Sequence, residues 1–288
     1  MENITWVLLV LVFGLSKGAR DLIKKKALQK NTVMEVLVTY TIMSFVLVLP
    51  FSEGAFRVPS PMLGWIAVKS LVIFFAWMCS FKAIEYIPIS VIGVIDLSRV
   101  LFSTLFGVVF LHETMGMHQV FGLLLVCTGL LLLRVRKDQL GLSPDRSRSH
   151  GKYIGLVFVS CVLNAISGTM DKVLMQSVTS SQLQFWYMLF LSAMYVAYVL
   201  LSRTKIRWKE IWKNYWIWIL SVVFVIADRS LFIANGIVQS KVTVMTLIKQ
   251  SGVLVSIVGG KIFFREEKIG YKLLCAGIII AGILVAVV

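Results

Sequence analysis

Ten apolar runs, each close to the length of a bilayer crossing, occupy almost the whole chain: residues 4–22, 33–51, 62–85, 88–111, 118–135, 152–176, 182–202, 211–237, 240–264 and 270–288. A hydrocarbon core of about 30 Å takes roughly 20 apolar helical residues to span. Within lipid each backbone amide must find its partner inside its own segment, so runs of this kind become helices. A β-barrel would alternate apolar and polar residues, whereas these runs are continuous. The stretch 62–111 is divided at Glu85 to Pro88, since proline has no amide hydrogen and turns the residue before it away from helix. Composition agrees: 58% hydrophobic and 15% charged residues, with mean hydropathy of +0.88, lie far from the balance of a soluble domain. The first run reads as a retained helix rather than a cleaved signal. Its leader MENITW carries no positive charge, and Lys17 and Arg20 follow where a small-residue cleavage site would lie.

The net charge of +15 is a signal of topology. Twenty of the 29 Lys and Arg residues follow odd-numbered runs, among them Arg20, Lys24, Lys25 and Lys26 after the first and Arg203, Lys205, Arg207, Lys209 and Lys213 after the seventh. Only Arg57, Lys172 and Lys241 follow even-numbered runs. The positive-inside rule then sets the odd loops in the cytoplasm and both termini outside. A basic surface so arranged faces the anionic headgroups of the lipid bilayer and calls for no nucleic acid. Cys79, Cys127, Cys161 and Cys275 all fall inside apolar runs without ligand-like spacing, so neither a disulfide framework nor a metal site is expected, and no other cofactor is indicated.

The chain also repeats. LHETMGMHQVFGLLLVCTGLLLL, starting at Leu111, aligns without gaps to FREEKIGYKLLCAGIIIAGILVA, starting at Phe264, pairing Glu113 with Glu266 and Gly129 with Gly282. Upstream, SKGARD ending at Asp21 pairs with ISGTMD ending at Asp171. Each half holds five runs, and an odd number sets the second half upside down relative to the first. The expected fold is an all-α polytopic membrane protein of ten transmembrane helices in two inverted five-helix repeats, 1–135 and 152–288, joined by a basic cytoplasmic linker at 136–151. Two such halves can rock about a site near the bilayer midplane, which is transporter architecture.

With this five-plus-five layout, and with the acidic junctions LHET at 111–114 and FREE at 264–267 each followed by a glycine-bearing helix, the chain resembles the drug/metabolite transporter superfamily in its ten-helix EamA-type branch. The resemblance covers essentially the whole chain and implies a small-molecule transporter, expected in the inner (plasma) membrane of a bacterium. Glu113 and Glu266 look like the family's junction glutamates, with a structural role at a helix N-terminus, where the dipole is positive. The sequence departs from its own repeat at Cys275, which stands where the first half has Gly122.

Ionisable side chains at membrane depth cost about 2.5–3.5 kcal/mol each on insertion scales and mark function by default. Lys17, Lys69, Asp96, Arg99, Asp228, Arg229 and Lys249 qualify, while Lys261 lies near a helix end and can snorkel. Asp96 and Lys249 correspond when the repeats are aligned through Glu113 and Glu266, which puts both near the pseudo-twofold axis, as substrate ligands or as an ion pair tying the halves together. Asp96 and Arg99 are three apart and can neutralise each other. Asp228 and Arg229 are adjacent and must point apart. Five deep cations against two carboxylates favour an anion or zwitterion. The expected substrate ligands are Lys249, Arg99, Asp96, Arg229, Lys69 and Lys17, with Gln250, Asn164 and Trp77 as softer candidates and the other tryptophans assigned to an interfacial belt. Asp96 or Asp228 would carry a coupling proton. The function expected is secondary active export or exchange of a small anionic or zwitterionic metabolite by alternating access. The alternative is a flippase for a phosphate-bearing lipid or lipid-linked sugar. The absence of HExxH and Walker A patterns from the sequence argues against a zinc hydrolase or an ATP-driven pump. A homodimer is open to such a chain.

Overall fold

The computed structural model describes residues 2–96, 98–135, 147–265 and 269–287. Every regular element among them is helical: α1 (Glu2–Leu28), α2 (Val33–Val48), α3 (Ser60–Tyr86), α4 (Ile89–Ile95), α5 (Ser98–Leu111), α6 (Met117–Val135), α7 (Ser147–Leu174), α8 (Ser180–Ser202), α9 (Trp208–Lys213), α10 (Tyr215–Gly236), α11 (Val242–Ile248), α12 (Gly252–Phe264) and α13 (Ile269–Val287), with short 3-10 turns between some of them. Among the described residues, six helical stretches are long and apolar enough to cross a membrane: Val33–Phe51, Ser60–Tyr86, Gly151–Leu174, Ser180–Ser202, Tyr215–Gly236 and Val242–Phe264. Shorter apolar helices run over Ser98–Leu111, Met117–Gly129 and Gly270–Gly282. The chain is an integral, multi-pass membrane protein.

The break between α3 and α4 falls at Pro88, as proline chemistry dictates. Two further breaks escaped the sequence reading. The run 88–111 is two helices, α4 ending at Ile95 and α5 starting at Ser98, and the run 240–264 is α11 and α12 joined by one 3-10 turn, Lys249–Ser251. Asp96 and Lys249 stand at these two interruptions. The sequence reading also ended the first helix too early. α1 runs to Leu28, so Arg20, Lys24, Lys25 and Lys26 are helical rather than loop residues. Lys172, likewise counted in a loop, lies on α7. In the expected linker, residues 136–146 lie outside the described set, as does Glu266, and α7 already begins at Ser147.

Packing is reciprocal between the two halves. α1 lies against α10 as α7 lies against α3; α1 against α12 as α7 against α5; α2 against α10 as α8 against α3; α6 pairs with α13 and α2 with α8. Two of these contacts are backbone-close. A Cβ on Gly18 would strike the carbonyl of Gly252, and one on Gly252 would strike the carbonyl of Gly14, so α1 and α12 touch main chain to main chain. On the α6–α13 contact a Cβ at Gly282 would meet the carbonyl of Gly122, and one at Gly129 would meet Ile279 and the carbonyl of Cys275. Small residues permit this approach, and between apolar helices close packing replaces the hydrophobic drive that lipid removes.

The helix starts are stitched across the halves as well. Thr32 and Glu35 form a capping box on α2, and Thr179 and Gln182 form one on α8. Each box then reaches over. Glu35 is fully buried and accepts from the Arg207 amide at 3.0 Å, its Nε at 2.9 Å and its Nη2 at 3.0 Å. Gln182 donates to the carbonyls of Gly54 at 3.1 Å and Arg57 at 3.3 Å. The junction glutamate Glu113 does cap a helix, but one in the other half: its carboxylate accepts from the amides of Val242 at 2.7 Å and Thr243 at 3.1 Å, at the start of α11.

Candidate functional site

One stripe of α1 sets its orientation. Phe13, Lys17, Arg20 and Lys24 recur every three or four residues and therefore share a face. That face looks inward, onto a cavity of about 120 Å³. α7 presents a matching stripe that is small and polar in place of charged, with Ser160, Asn164, Ser167 and Asp171 at the same spacing. α3 adds Lys69, Trp77 and Ser80; α10 adds Phe224, Asp228 and Phe232; the two broken helices add Asp96, Arg99, Thr246 and Lys249.

Charges in the cavity are mostly matched. Asp96 is held by Lys17 from α1 and by Arg99 from its own break at 3.1 Å. Arg20 faces Asp228 at 3.6 Å, and its guanidinium also lies over the rings of Phe13 at 5.2 Å and Phe224 at 5.1 Å. Lys69 meets Asp171 at 3.1 Å, with its ammonium 3.7 Å from the centre of the Tyr187 ring. Lys24 pairs with Asp21 at 3.0 Å. Lys249 differs. It is 9% exposed, it lines the cavity, and among the described residues it has no ion pair, only the Phe13 ring at 5.6 Å. Aromatic side chains close one wall: Trp77 lies 5.3 Å from Tyr40 and 5.2 Å from Phe224, ring centre to ring centre.

Of the residues the sequence singled out, Lys17, Lys69, Asp96, Arg99, Asn164, Trp77, Asp228 and Lys249 meet around this cavity. Two do not. Arg229 sits one residue beyond Asp228, so the helical rotation carries it away, and it donates to Ser181 at 3.2 Å over the Phe51 ring. Gln250 is buried and donates back to the Thr246 carbonyl at 3.2 Å, within its own helix turn. Asp96 and Lys249 do not form the ion pair that their equivalence suggested, because Lys17 and Arg99 occupy the carboxylate. The sequence reading missed Arg20, Asp21, Lys24 and Asp171. A signal was present, since Asp21 and Asp171 close the aligned segments SKGARD and ISGTMD. The asparagine at the cavity is satisfied locally, Asn164 donating to the Ser160 carbonyl at 2.7 Å.

Residues 4–135 match the model of the EamA-like transporter family. A solved crystal structure is similar in fold over 99% of this chain and 94% of its own, with a TM-score of 0.67 at 14% sequence identity. No curated protein matches the chain.

Proposed function

We propose, from the premise that the chain belongs to the drug/metabolite transporter superfamily through its EamA-like first half, that it exports or exchanges a small anionic or zwitterionic metabolite by alternating access. Members of that family move small molecules across membranes, and the central cavity is the place where such a molecule would sit. The reading takes the chain as ten crossings in two inverted repeats, with both termini outside, in a bacterial inner membrane. Reciprocal packing, the equivalent interruptions at Asp96 and Lys249, and the crossed capping boxes support inversion. Broken helices at a midplane cavity are a recurrent way of exposing backbone and charge to a substrate in lipid.

The observation that carries the proposal is Lys249: a cation nine-tenths buried, facing the cavity, with no carboxylate in ion-pair contact among the described residues. Buried charges are ordinarily paired, so the missing partner is supplied by the substrate. No feature among the described residues favours a lipid flippase. Asp96 or Asp228 would serve for proton coupling, each held by a basic residue from α1.

The test is a thermal-stability screen of the purified chain in detergent against anionic, zwitterionic and cationic metabolites, repeated on Lys249→Ala. A ligand at 100 times its Kd stabilises the folded state by about 2.7 kcal/mol. Stabilisation by anions or zwitterions that disappears in the variant is the expected result, whereas stabilisation by cations alone overturns the reading. Flux of the selected compound in proteoliposomes then separates a carrier from a binder.

A further inference from the structure

We infer that the short helix α9 is a docking site for an anionic phospholipid of the leaflet it faces, with Lys209 and Lys213 on the phosphate and Trp208 and Trp212 at the level of the ester groups. The site lies outside the central cavity, and its test does not depend on what the cavity carries.

α9 belongs to the connection 203–214 between the apolar helices α8 and α10, so it stands where the chain leaves the lipid and returns to it. Its residues sort around the helix at about 100° each. Ile211 points into the protein, where it joins the core cluster that holds residues of α2, α8 and α10. Trp208 and Trp212 adjoin it on the same arc and are 51% and 63% exposed. Lys209 and Lys213, four apart, take the next arc, are exposed, and have no ion pair among the described residues. Glu210 completes the circle and is turned back on Arg207 at 2.6 Å, so it does not cancel the lysines. Core, aromatic ring and ammonium follow one another around the helix in the order of protein, lipid ester and lipid phosphate.

The connection 49–59 between α2 and α3 supplies the contrast. It too exposes rings, Phe51 and Phe56, but its charges are one of each sign, Glu53 and Arg57. The connection that contains α9 carries five basic residues, Arg203, Lys205, Arg207, Lys209 and Lys213, against Glu210. A boundary between lipid and water accounts for rings at both places, whereas cations set beside the rings fit an anionic headgroup at one alone.

The helix is fastened at both ends. Arg207 before it is held by the buried Glu35 of α2, and Asn214 after it donates to the Ala27 carbonyl at 3.0 Å and to Asn31 Oδ1 at 2.7 Å. These partners lie between the last turn of α1 and the first turn of α2. A lipid that holds α9 therefore secures a clasp between the two halves, and its binding is readable as stability of the whole fold.

The experiment titrates the purified full-length chain in detergent with phosphatidylglycerol or with phosphatidylcholine of the same acyl chains and follows thermal stability. A basic residue near an anionic surface strengthens binding about fivefold. The expected result is half-maximal stabilisation by phosphatidylglycerol at a concentration at least about tenfold below that of phosphatidylcholine, a preference lost in Lys209→Gln/Lys213→Gln and kept in Lys209→Arg/Lys213→Arg. Lys30→Gln/Lys152→Gln removes the same charge from exposed positions on the same face of the membrane in the proposed topology, and the preference survives it. Equal stabilisation by the two lipids overturns the anionic headgroup. A preference that persists in Lys209→Gln/Lys213→Gln, or that falls as far in Lys30→Gln/Lys152→Gln, overturns the site in favour of diffuse surface charge. Stabilisation by glycerol phosphate without acyl chains overturns the lipid in favour of a free phosphate. Each of these results leaves the ligand screen on Lys249→Ala to judge the cavity separately.

Discussion

At the interruption between α4 and α5, Asp96 holds two cations; at the interruption between α11 and α12, Lys249 has no ion pair among the described residues. Both positions lie on the cavity wall at an interruption of a helix, yet one is chemically closed and the other open. The difference comes from α1, whose charged stripe lies on the first half's break through Lys17, while Phe13 of the same stripe offers Lys249 only a ring face. On the proposed reading, Asp96 fastens the inner wall and Lys249 is left for the substrate.

The sharpest way to break this comparison is to part α1 from α12. Gly252→Val inserts a branched side chain where the carbonyl of Gly14 already sits, and overpacking of a close contact costs about 1–3 kcal/mol or more. Because both breaks depend on the position of α1, the expected outcome is loss of monodisperse protein in size-exclusion chromatography. Asp96→Asn comes next. It leaves Lys17 and Arg99 buried without a carboxylate, a loss of about 3–5 kcal/mol by the usual cost of breaking a buried pair, read as a large fall in Tm. Asp96→Asn combined with Lys17→Met removes one stranded charge and should recover part of that fall, so a double variant no more stable than Asp96→Asn would mean that Lys17 was never held by Asp96. Lys249→Met is the smallest effect. With no ion pair to lose among the described residues, its stability should stay within about 1 kcal/mol of the parent or rise, while ligand stabilisation disappears. Equal destabilisation by Asp96→Asn and Lys249→Met would erase the distinction between the two sites.

The apolar runs were legible because a membrane demands length and continuity, which a sequence displays directly. Pro88 was legible because its chemistry is local. The breaks at Asp96 and Lys249 were not, since neither has a proline, and a charge inside an apolar run does not say whether the helix passes through it. The charged second half of α1 misled for the opposite reason. Arg20, Asp21 and Lys24 look like a solvated loop until partners such as Asp228 on another helix turn them into the wall of a cavity. Arg229 shows the limit of adjacency: which of two neighbouring charges faces inward is fixed by helix rotation, and rotation is fixed by packing. The capping boxes T-x-x-E at Thr32 and T-x-x-Q at Thr179 could have been found by spacing alone. Their crossed partners in the opposite half could not.

Those crossed partners bear on how the protein is made. Glu35 becomes buried near the start of α2, but the arginine that satisfies it is 172 residues further along the chain. Glu113 likewise waits 129 residues for the amide of Val242. While the ribosome is still translating the second half, the first carries two carboxylates whose final partners do not yet exist, so its maturation is tied to completion of the whole polypeptide. Two half-chains cut between residues 136 and 146 should accumulate when synthesised together and be degraded when either is synthesised alone.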